Sequence, residues 1–168
     1  MLIIRLANSD DAIDVLRWRN DAQTRAASWN VDLIDKATHI KWFNAAVKDQ
    51  KRIFLMGELG DRKIGMVRFD ACTEDIKAWK VSIMISPESR SQGIGASLLT
   101  HAISYFHSKL PGASLIAEVK NSNTASRHLF ERLGFSITGL EGEKLEYKLS
   151  LYSHFNINCV DEKLKGQK

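Results

Sequence analysis

The residues best suited to chemistry form the segment Arg90-Ser91-Gln92-Gly93-Ile94-Gly95-Ala96-Ser97. It follows an apolar, strand-like run at residues 81–85, and the apolar residues after it recur with helical spacing. Two glycines therefore fall at a helix N-terminus, where backbone N–H groups lack partners and the helix dipole is positive. Glycine lets a ligand approach the main chain closely, and Arg90 adds a mobile positive charge. This pattern predicts a loop that binds phosphate or pyrophosphate.

The spacing Arg-x-x-Gly-x-Gly differs from two better-known phosphate motifs. A P-loop ends in Gly-Lys-Ser/Thr, which does not occur here, and a dinucleotide fingerprint needs a third glycine where this chain has Leu98. Such a fingerprint also normally follows the first strand of its domain, whereas half of this chain precedes the segment. On these residues alone, a glycine turn used only for chain geometry stays the alternative.

A second motif follows another apolar run, at residues 115–119. It reads Asn-x-x-Ser-x-x-Leu-Phe-x-x-x-Gly-Phe over residues 123–135, with Asn123 suited to cap a helix and Gly134 suited to end it. In their order and spacing, the two motifs together resemble those of the GCN5-related N-acetyltransferases, the GNAT superfamily. The resemblance covers residues 2 to about 150.

The bulk properties predict one ordinary globular domain. The 168 residues are 44% hydrophobic and 26% charged. A net charge of +4 is too small to indicate nucleic-acid binding, but it suits a polyanionic ligand. Cys72 and Cys159 show no paired spacing, so we expect neither a disulfide framework nor a metal site. Without a signal-type start or a run of about 18 apolar residues, we expect a cytoplasmic protein with no membrane partner.

The predicted elements follow the order β-α-α-β-β-β-α-β-α-β-β, which is the GNAT order. Strands are predicted at 2–6, 52–59, 63–71, 76–85, 115–119, 135–138 and 144–151. Helices are predicted from Ser9 or Asp10 to 23, at 35–49, from the glycine segment to 110, and at 123–133, with a loop at 24–34. The resemblance implies a mixed α/β fold whose twisted, mostly antiparallel sheet splays at an acetyl-CoA site between about four helices. We predict a domain at 1–152 and a polar tail at 153–168.

The resemblance implies acetyl-CoA as co-substrate. The glycine segment would bind its pyrophosphate through Arg90, Gln92, Gly93, Ile94, Gly95, Ala96 and Ser97. The edge of the strand at 81–85 would pair with the pantetheine amides, and main-chain groups of Met84 and Ile85 would face the thioester carbonyl. A backbone N–H at Met84 could stabilise the oxyanion. Asn123 and Ser126 would contact the cofactor from the other side of the splayed sheet, and Phe130 would face the thioester sulfur.

Two positions depart from the family pattern. Phe130 stands where many members have the tyrosine that protonates the leaving thiolate, so water or Ser126 must suffice. Lys80 stands where many members have a glutamate base. Glu118 is the candidate base, with an ion-paired strand residue as the alternative interpretation. His128, Asp70 and Glu74 are weaker candidates, since each is also readable as a structural residue.

The acceptor is predicted to bind near the end of the first helix, where Arg17, Arg25 and Trp29 could grip an anionic or aromatic group. The structural alternative packs Trp18 in the core and pairs Asp21 with Arg25. The sequence Trp-Arg-Asn-Asp at residues 18–21, together with Phe130, resembles GNAT members of amino-sugar-nucleotide pathways of the pseudaminic-acid type. Acetylation of ribosomal-protein N-termini, another small-molecule amine, and a non-catalytic acyl-CoA-binding module stay open. A homodimer is one possible assembly.

Overall fold

Seven strands and five helices make up the part of the chain that the computed structural model describes, residues 1–151. The predicted polar tail at 153–168 lies outside it. The strands are β1 (Leu2–Leu6), β2 (Arg52–Leu59), β3 (Arg62–Ala71), β4 (Ala78–Ile85), β5 (Ser114–Lys120), β6 (Ser136–Glu141) and β7 (Lys144–Ser150). The helices are α1 (Ala12–Asn20), α2 (Ala22–Ala27), α3 (Lys36–Ala46), α4 (Ile94–Lys109) and α5 (Thr124–Arg132). None of these helices is long and apolar enough to cross a membrane.

The first helical region differs from the prediction in three details. The Asn8 side chain, rather than Ser9 or Asp10, caps the short 3-10 turn that precedes α1. The helix then ends at Asn20 because Asp21 leaves the helical region, with ψ at 140°. Asp21 instead caps a new helix, its carboxylate accepting the N–H of Thr24. The predicted loop at 24–34 therefore begins inside α2, and the fold has one helix more than expected.

The sheet confirms the expected mixed α/β architecture. Its strand order is β1-β2-β3-β4-β5-β7-β6, and β4–β5 is the one parallel pair among antiparallel neighbours in the described chain. In that pair only Ala78, Trp79 and Lys80 have partners on β5, at Ser114–Ile116. Beyond Lys80 the two strands diverge, so the rest of β4 offers an unpaired edge to whatever enters the gap.

Helices cover both faces of the sheet. On one face α1 and α3 bury Trp18 and Phe43 completely against β2 and β3. On the other face α4 buries Leu98, Leu99 and Phe106, and the Phe106 ring stacks on Phe69 of β3 at 4.5 Å. Each such side chain contributes about 1.5–3 kcal/mol through burial, so the framework around the gap is well anchored.

Candidate active site

The gap between β4 and β5 opens into a cleft of about 1090 Å³. The N-terminus of α4 and one side of α5 line one half of it. Residues of α1, α2, α3 and the 28–34 loop line the other half. The cleft thus has two sides, and the unpaired part of β4 beyond Lys80 runs between them. Such a shape can hold an extended ligand on one side and a second molecule on the other.

The glycine segment lies in the first half and exposes main-chain donors. Ser91 and Gly93 both have left-handed backbones, with φ at 60° and 71°. Gly93 immediately precedes α4, and no side chain caps that helix start. A Cβ at Gly93 would meet nothing within 4 Å. The loop is therefore an open cradle with free N–H groups at the positive end of a 16-residue helix, which fits a pyrophosphate.

Most of the predicted cofactor-binding residues line this one cleft. They are Met84, Ile85, Arg90, Gly93, Ile94, Gly95, Ala96, Asn123, Ser126 and Phe130. Gln92 and Ser97 are not among the lining residues. The Gln92 amide donates to the Glu88 carbonyl at 3.0 Å, and the Ser97 carbonyl lies 2.8 Å from the His101 ring within α4. Any contact of these two residues with the ligand would run through their main chain.

Arg90 is held by α2 and is not the mobile charge that the sequence predicts. Its guanidinium contacts the Asp21 carboxylate at 2.7 Å, the Gln23 side-chain oxygen at 2.9 Å and the Thr24 hydroxyl at 2.7 Å. The hydrogen bond from the N–H of Thr24 lowers the pKa of Asp21 most, and the bond from Arg90 lowers it further, so the carboxylate stays charged. Asp21 is therefore paired with Arg90 rather than with Arg25 of its own helix.

The α5 side of the cleft places the second motif. Asn123 caps the helix, its side-chain oxygen accepting the N–H of Ser126 at 3.1 Å. Phe130 is 3% exposed, with its ring centroid 5.0 Å from Phe135 and 6.3 Å from Tyr147. The Tyr147 hydroxyl donates a hydrogen bond to the Glu131 carboxylate at 2.8 Å. Burial raises the pKa of Tyr147, which is itself not a lining residue.

The candidate base Glu118 is ion-paired inside the cleft. Its Oε1 accepts a hydrogen bond from Nζ of Lys80 at 2.9 Å, across the splayed strands. This bond raises the pKa of Lys80, so the lysine stays protonated and cannot take a proton. The lysine that replaces the expected glutamate thus neutralises the one carboxylate that β5 offers to the cleft.

The three predicted acceptor residues separate in the structure. Trp29 lines the cleft and is half exposed, with Nζ of Lys120 5.8 Å from its ring centroid. Arg17 points away from the lining and pairs with Glu88 on the surface. Arg25 stays within its own loop, donating to the carbonyls of Asn20 at 3.2 Å and Val31 at 2.8 Å. The structure therefore brings one of the three to the cleft.

The lining residues that the sequence analysis missed include Arg19, His39, Trp42 and Arg68. Arg19 donates to the Asn30 carbonyl at 2.6 Å, while its Nη1 is buried without a hydrogen-bond partner. His39 is 3% exposed, and burial lowers its pKa, which keeps it neutral at pH 7. His39 lies four residues before the core residue Phe43, a helical spacing that could have placed it on the inner face of α3.

Two features lie side by side in this cleft: the unpaired edge of β4, and the start of α4, which follows Gly93 and has no side-chain cap. Together they define a class of acyltransferase fold that binds an extended cofactor. The chain matches the family model described as "Acetyltransferase (GNAT) domain" over residues 1–136. The chain therefore belongs to the GNAT acetyltransferase family, and it is an N-acetyltransferase that uses acetyl-CoA as co-substrate.

Relatives and solved structures agree with this membership. The chain is 27% identical over 141 residues to an L-methionine sulfoximine/L-methionine sulfone acetyltransferase of Pseudomonas paraeruginosa, covering 81% of each chain. It is 28% identical over 142 residues to the L-amino acid N-acyltransferase MnaT of Escherichia coli, covering 80% of each. The fold matches yncA of Salmonella typhimurium, solved with acetyl-CoA, with a TM-score of 0.74 at 22% identity over 90% and 94% of the two chains. It also matches a Vibrio cholerae spermidine N-acetyltransferase, with a TM-score of 0.83 at 17% identity over 92% and 98%.

Proposed function

We propose that this enzyme acetylates a small-molecule amine that carries an anionic group, and that an amino-sugar nucleotide is the first candidate acceptor. The observation that carries the proposal is Arg19, whose Nη1 is buried at the cleft without a hydrogen-bond partner. A buried donor left unpaired is costly, so an anionic acceptor group would supply the missing partner. A guanidinium is well matched to phosphate or carboxylate oxygens.

Aromatic side chains support an acceptor with a flat or apolar part. Trp29 and Trp42 both line the acceptor half, and both stay partly exposed, at 51% and 38%. Arg68 lies there too, held by Asp70 at 2.7 Å with its guanidinium 6.0 Å from the centroid of the Phe54 ring. A nucleotide could place its phosphates on the arginines and stack its base on a tryptophan.

The transfer step that we propose needs few side chains. The acetyl-CoA pyrophosphate binds the main chain of the glycine segment, and its pantetheine amides pair with the free edge of β4. A backbone N–H near Met84 stabilises the oxyanion as the neutral amine attacks the thioester carbon. The C–S bond then breaks, and a thiol with a pKa of roughly 8.5 leaves readily as thiolate. Phe130 cannot donate a proton, so the proton that the amine nitrogen loses is relayed to the thiolate through water or the Ser126 hydroxyl, which is reprotonated in the relay.

An amino acid is the second candidate acceptor. The relatives from Pseudomonas and Escherichia coli are named for acyl transfer to amino acids or their analogues. An α-carboxylate would meet Arg19 in the same way as a phosphate, and an apolar side chain would lie against Trp29 or Trp42. Both candidates carry an anionic group. The side chains of the cleft therefore support an anionic amine as acceptor but do not favour one of the two candidates.

An acceptor panel tests the class and separates the candidates. Free-thiol release from acetyl-CoA would be measured with a UDP-linked amino sugar, L-methionine sulfone, spermidine and a neutral peptide with an N-terminal alanine. We expect turnover with one or both of the anionic amines and none with spermidine, whose positive charges would meet Arg19 and Arg68. A preference for spermidine or the neutral peptide would contradict the proposed acceptor class. Binding of acetyl-CoA without turnover of any amine would favour the non-catalytic alternative.

A further inference from the structure

Helix α2 forms one wall of the acceptor half but has no anchor in the hydrophobic core. None of its six residues is buried. A helix of this length is far below the length at which isolated helices become stable, so its tertiary ties must hold it. Nevertheless Gln23, Thr24 and Ala27, with Trp29 just beyond, line the cleft. The position of this wall therefore depends on its polar contacts.

Two of those contacts come from opposite sides of the splayed sheet. Arg90, in the loop after β4, contacts the beginning of α2 through Asp21, Gln23 and Thr24 at 2.7–2.9 Å. Lys120, at the end of β5, donates to the Ala26 carbonyl at 3.1 Å, near the end of α2. The same Nζ lies over the Trp29 ring. Helix α2 thus spans the mouth of the cleft with one tie to each side.

The Arg90 tie is less exposed than a second ion pair that links the same part of the chain to α1. The Arg90 and Asp21 side chains are only 21% and 25% exposed. Arg17 of α1 and Glu88, just before the glycine segment, also pair, but both side chains are 54% exposed. Exposed pairs contribute little, whereas half-buried, charge-assisted bonds to several acceptors hold a geometry. Arg90 is therefore the stronger link between the glycine loop and the acceptor wall.

We propose that Arg90 and Lys120 are positioning residues that hold α2 and Trp29 across the cleft, so that the acceptor site takes its shape from the loop that binds acetyl-CoA. This inference rests on the proposed function, because it assumes that the acceptor binds against α2. It assigns to Arg90 a role toward the acceptor instead of the pyrophosphate role predicted from the sequence. It also makes acceptor affinity depend on donor binding, since ordering the glycine loop orders the wall that Arg90 holds.

Kinetics of Arg90→Ala and Lys120→Met would test the assignment, with Glu88→Gln as the matched control. The acceptor would be L-methionine sulfone or a UDP-linked amino sugar, according to which one the wild-type enzyme acetylates. We expect Arg90→Ala to raise the acceptor KM about tenfold and to change the acetyl-CoA Kd from calorimetry less than about threefold. Lys120→Met, which keeps an apolar stem against Trp29, should raise the acceptor KM about threefold. Glu88→Gln should change either value less than about twofold.

Hydrogen exchange reads the position of α2 without any acceptor. Amides of residues 22–28 should exchange faster in Arg90→Ala than in wild type, and Glu88→Gln should leave them unchanged. Thr24→Val removes one hydrogen-bond acceptor of Arg90 and leaves the sequence of the glycine segment unchanged. Because both changes break the same tie, the acceptor KM of the double variant should rise by less than the product of the two single effects.

Three results would overturn the assignment. A tenfold loss of acetyl-CoA affinity in Arg90→Ala with an unchanged acceptor KM would make Arg90 a pyrophosphate ligand. Unchanged exchange in α2 would show that other contacts hold it. Multiplicative effects of Arg90→Ala and Thr24→Val would show that the two residues act separately. If the wild-type enzyme acetylated neither probe, the proposed function would fail, while the exchange measurement would still decide whether Arg90 holds α2.

Discussion

Replacing Gly93 by alanine separates the backbone requirement of the glycine loop from its role in binding. Gly93 has φ at +71°, and an added Cβ would meet nothing within 4 Å. An L-residue in this left-handed region costs about 1–2 kcal/mol, with no steric clash to add to it. For a domain of this size, each kcal/mol lowers Tm by about 2–4 °C. The variant should therefore fold, with a modest loss of stability.

Gly60 offers a matched control in the turn between β2 and β3. Its φ is +61°, and a Cβ there would likewise meet nothing within 4 Å. It does not line the cleft. Gly60→Ala and Gly93→Ala should thus lower Tm by similar amounts, because both pay the same backbone cost. Any difference between the two in ligand affinity then reports the ligand alone.

The expected loss of affinity follows from the main-chain donors. Alanine keeps its backbone N–H, but its Cβ would occupy the open space through which a phosphate reaches the loop. Moving the phosphate away from one N–H loses about 1.5–3 kcal/mol, which corresponds to a tenfold or greater change in Kd. Calorimetry should therefore show acetyl-CoA bound at least about tenfold more weakly by Gly93→Ala, and with wild-type affinity by Gly60→Ala. Equal affinities in two folded variants would refute the assignment of the pyrophosphate to this loop.

Three further changes test other parts of the molecule. Phe130→Tyr should keep or raise kcat, since a hydroxyl there could protonate the leaving thiolate; abolished activity in a folded variant would contradict this placement. Arg25→Ala should raise the acceptor KM and leave the acetyl-CoA KM unchanged, because Arg25 donates to the carbonyls of Asn20 and Val31 and so holds this loop in place. A rise in the acetyl-CoA KM alone would mean that the loop binds the coenzyme instead. Asp11 is fully buried, with bonds from Arg5 and Lys63 that hold its pKa at about 2, below the ordinary 3.8. This depressed pKa contributes about 2 kcal/mol above pH 4, lost as the pH falls toward 2; urea unfolding should show that Asp11→Asn removes this part of the pH dependence.

The framework of the donor half could be predicted because its signals are local. A left-handed glycine before a helix and an asparagine that caps the next helix are properties of a few consecutive residues. The apolar runs at 81–85 and 115–119 place these two helix starts at the ends of neighbouring strands. Apart from the additional helix α2, the order of elements matches the prediction, and the sheet splays where the resemblance implied.

Helix α2 could not be predicted because nothing in its own sequence requires it. Its six residues show no buried stripe, so neither hydrophobic periodicity nor a core contact marks it. The helix depends on partners distant in the chain, Arg90 and Lys120. Contacts with residues outside their own helix also set the directions of two arginines: Arg17 pairs with Glu88, and Arg25 donates to carbonyls of Asn20 and Val31. The residue types near the end of the first helix therefore predicted a pocket that these two side chains do not line.

The lining residues that the sequence analysis missed reflect a different limit. His39 and Trp42 lie on α3, whose apolar positions Ile40, Phe43 and Val47 recur with helical spacing and are enough to predict a core-facing helix. A polar or amphipathic side chain on the buried face is indistinguishable in sequence from one that packs in the core. Whether it lines a cleft depends on how far β4 and β5 diverge, which is a property of the assembled sheet.

A crystal structure of the protein with coenzyme A tests the central claim most directly. We predict the pyrophosphate within hydrogen-bond distance of the main-chain N–H groups of residues 93–95, and the pantetheine arm along the free edge of β4 at residues 81–85. The thiol should point toward the side of the cleft that Arg19 and Trp29 line. Coenzyme A bound away from the glycine loop, or lying in the half lined by α1 and α3, would contradict the account.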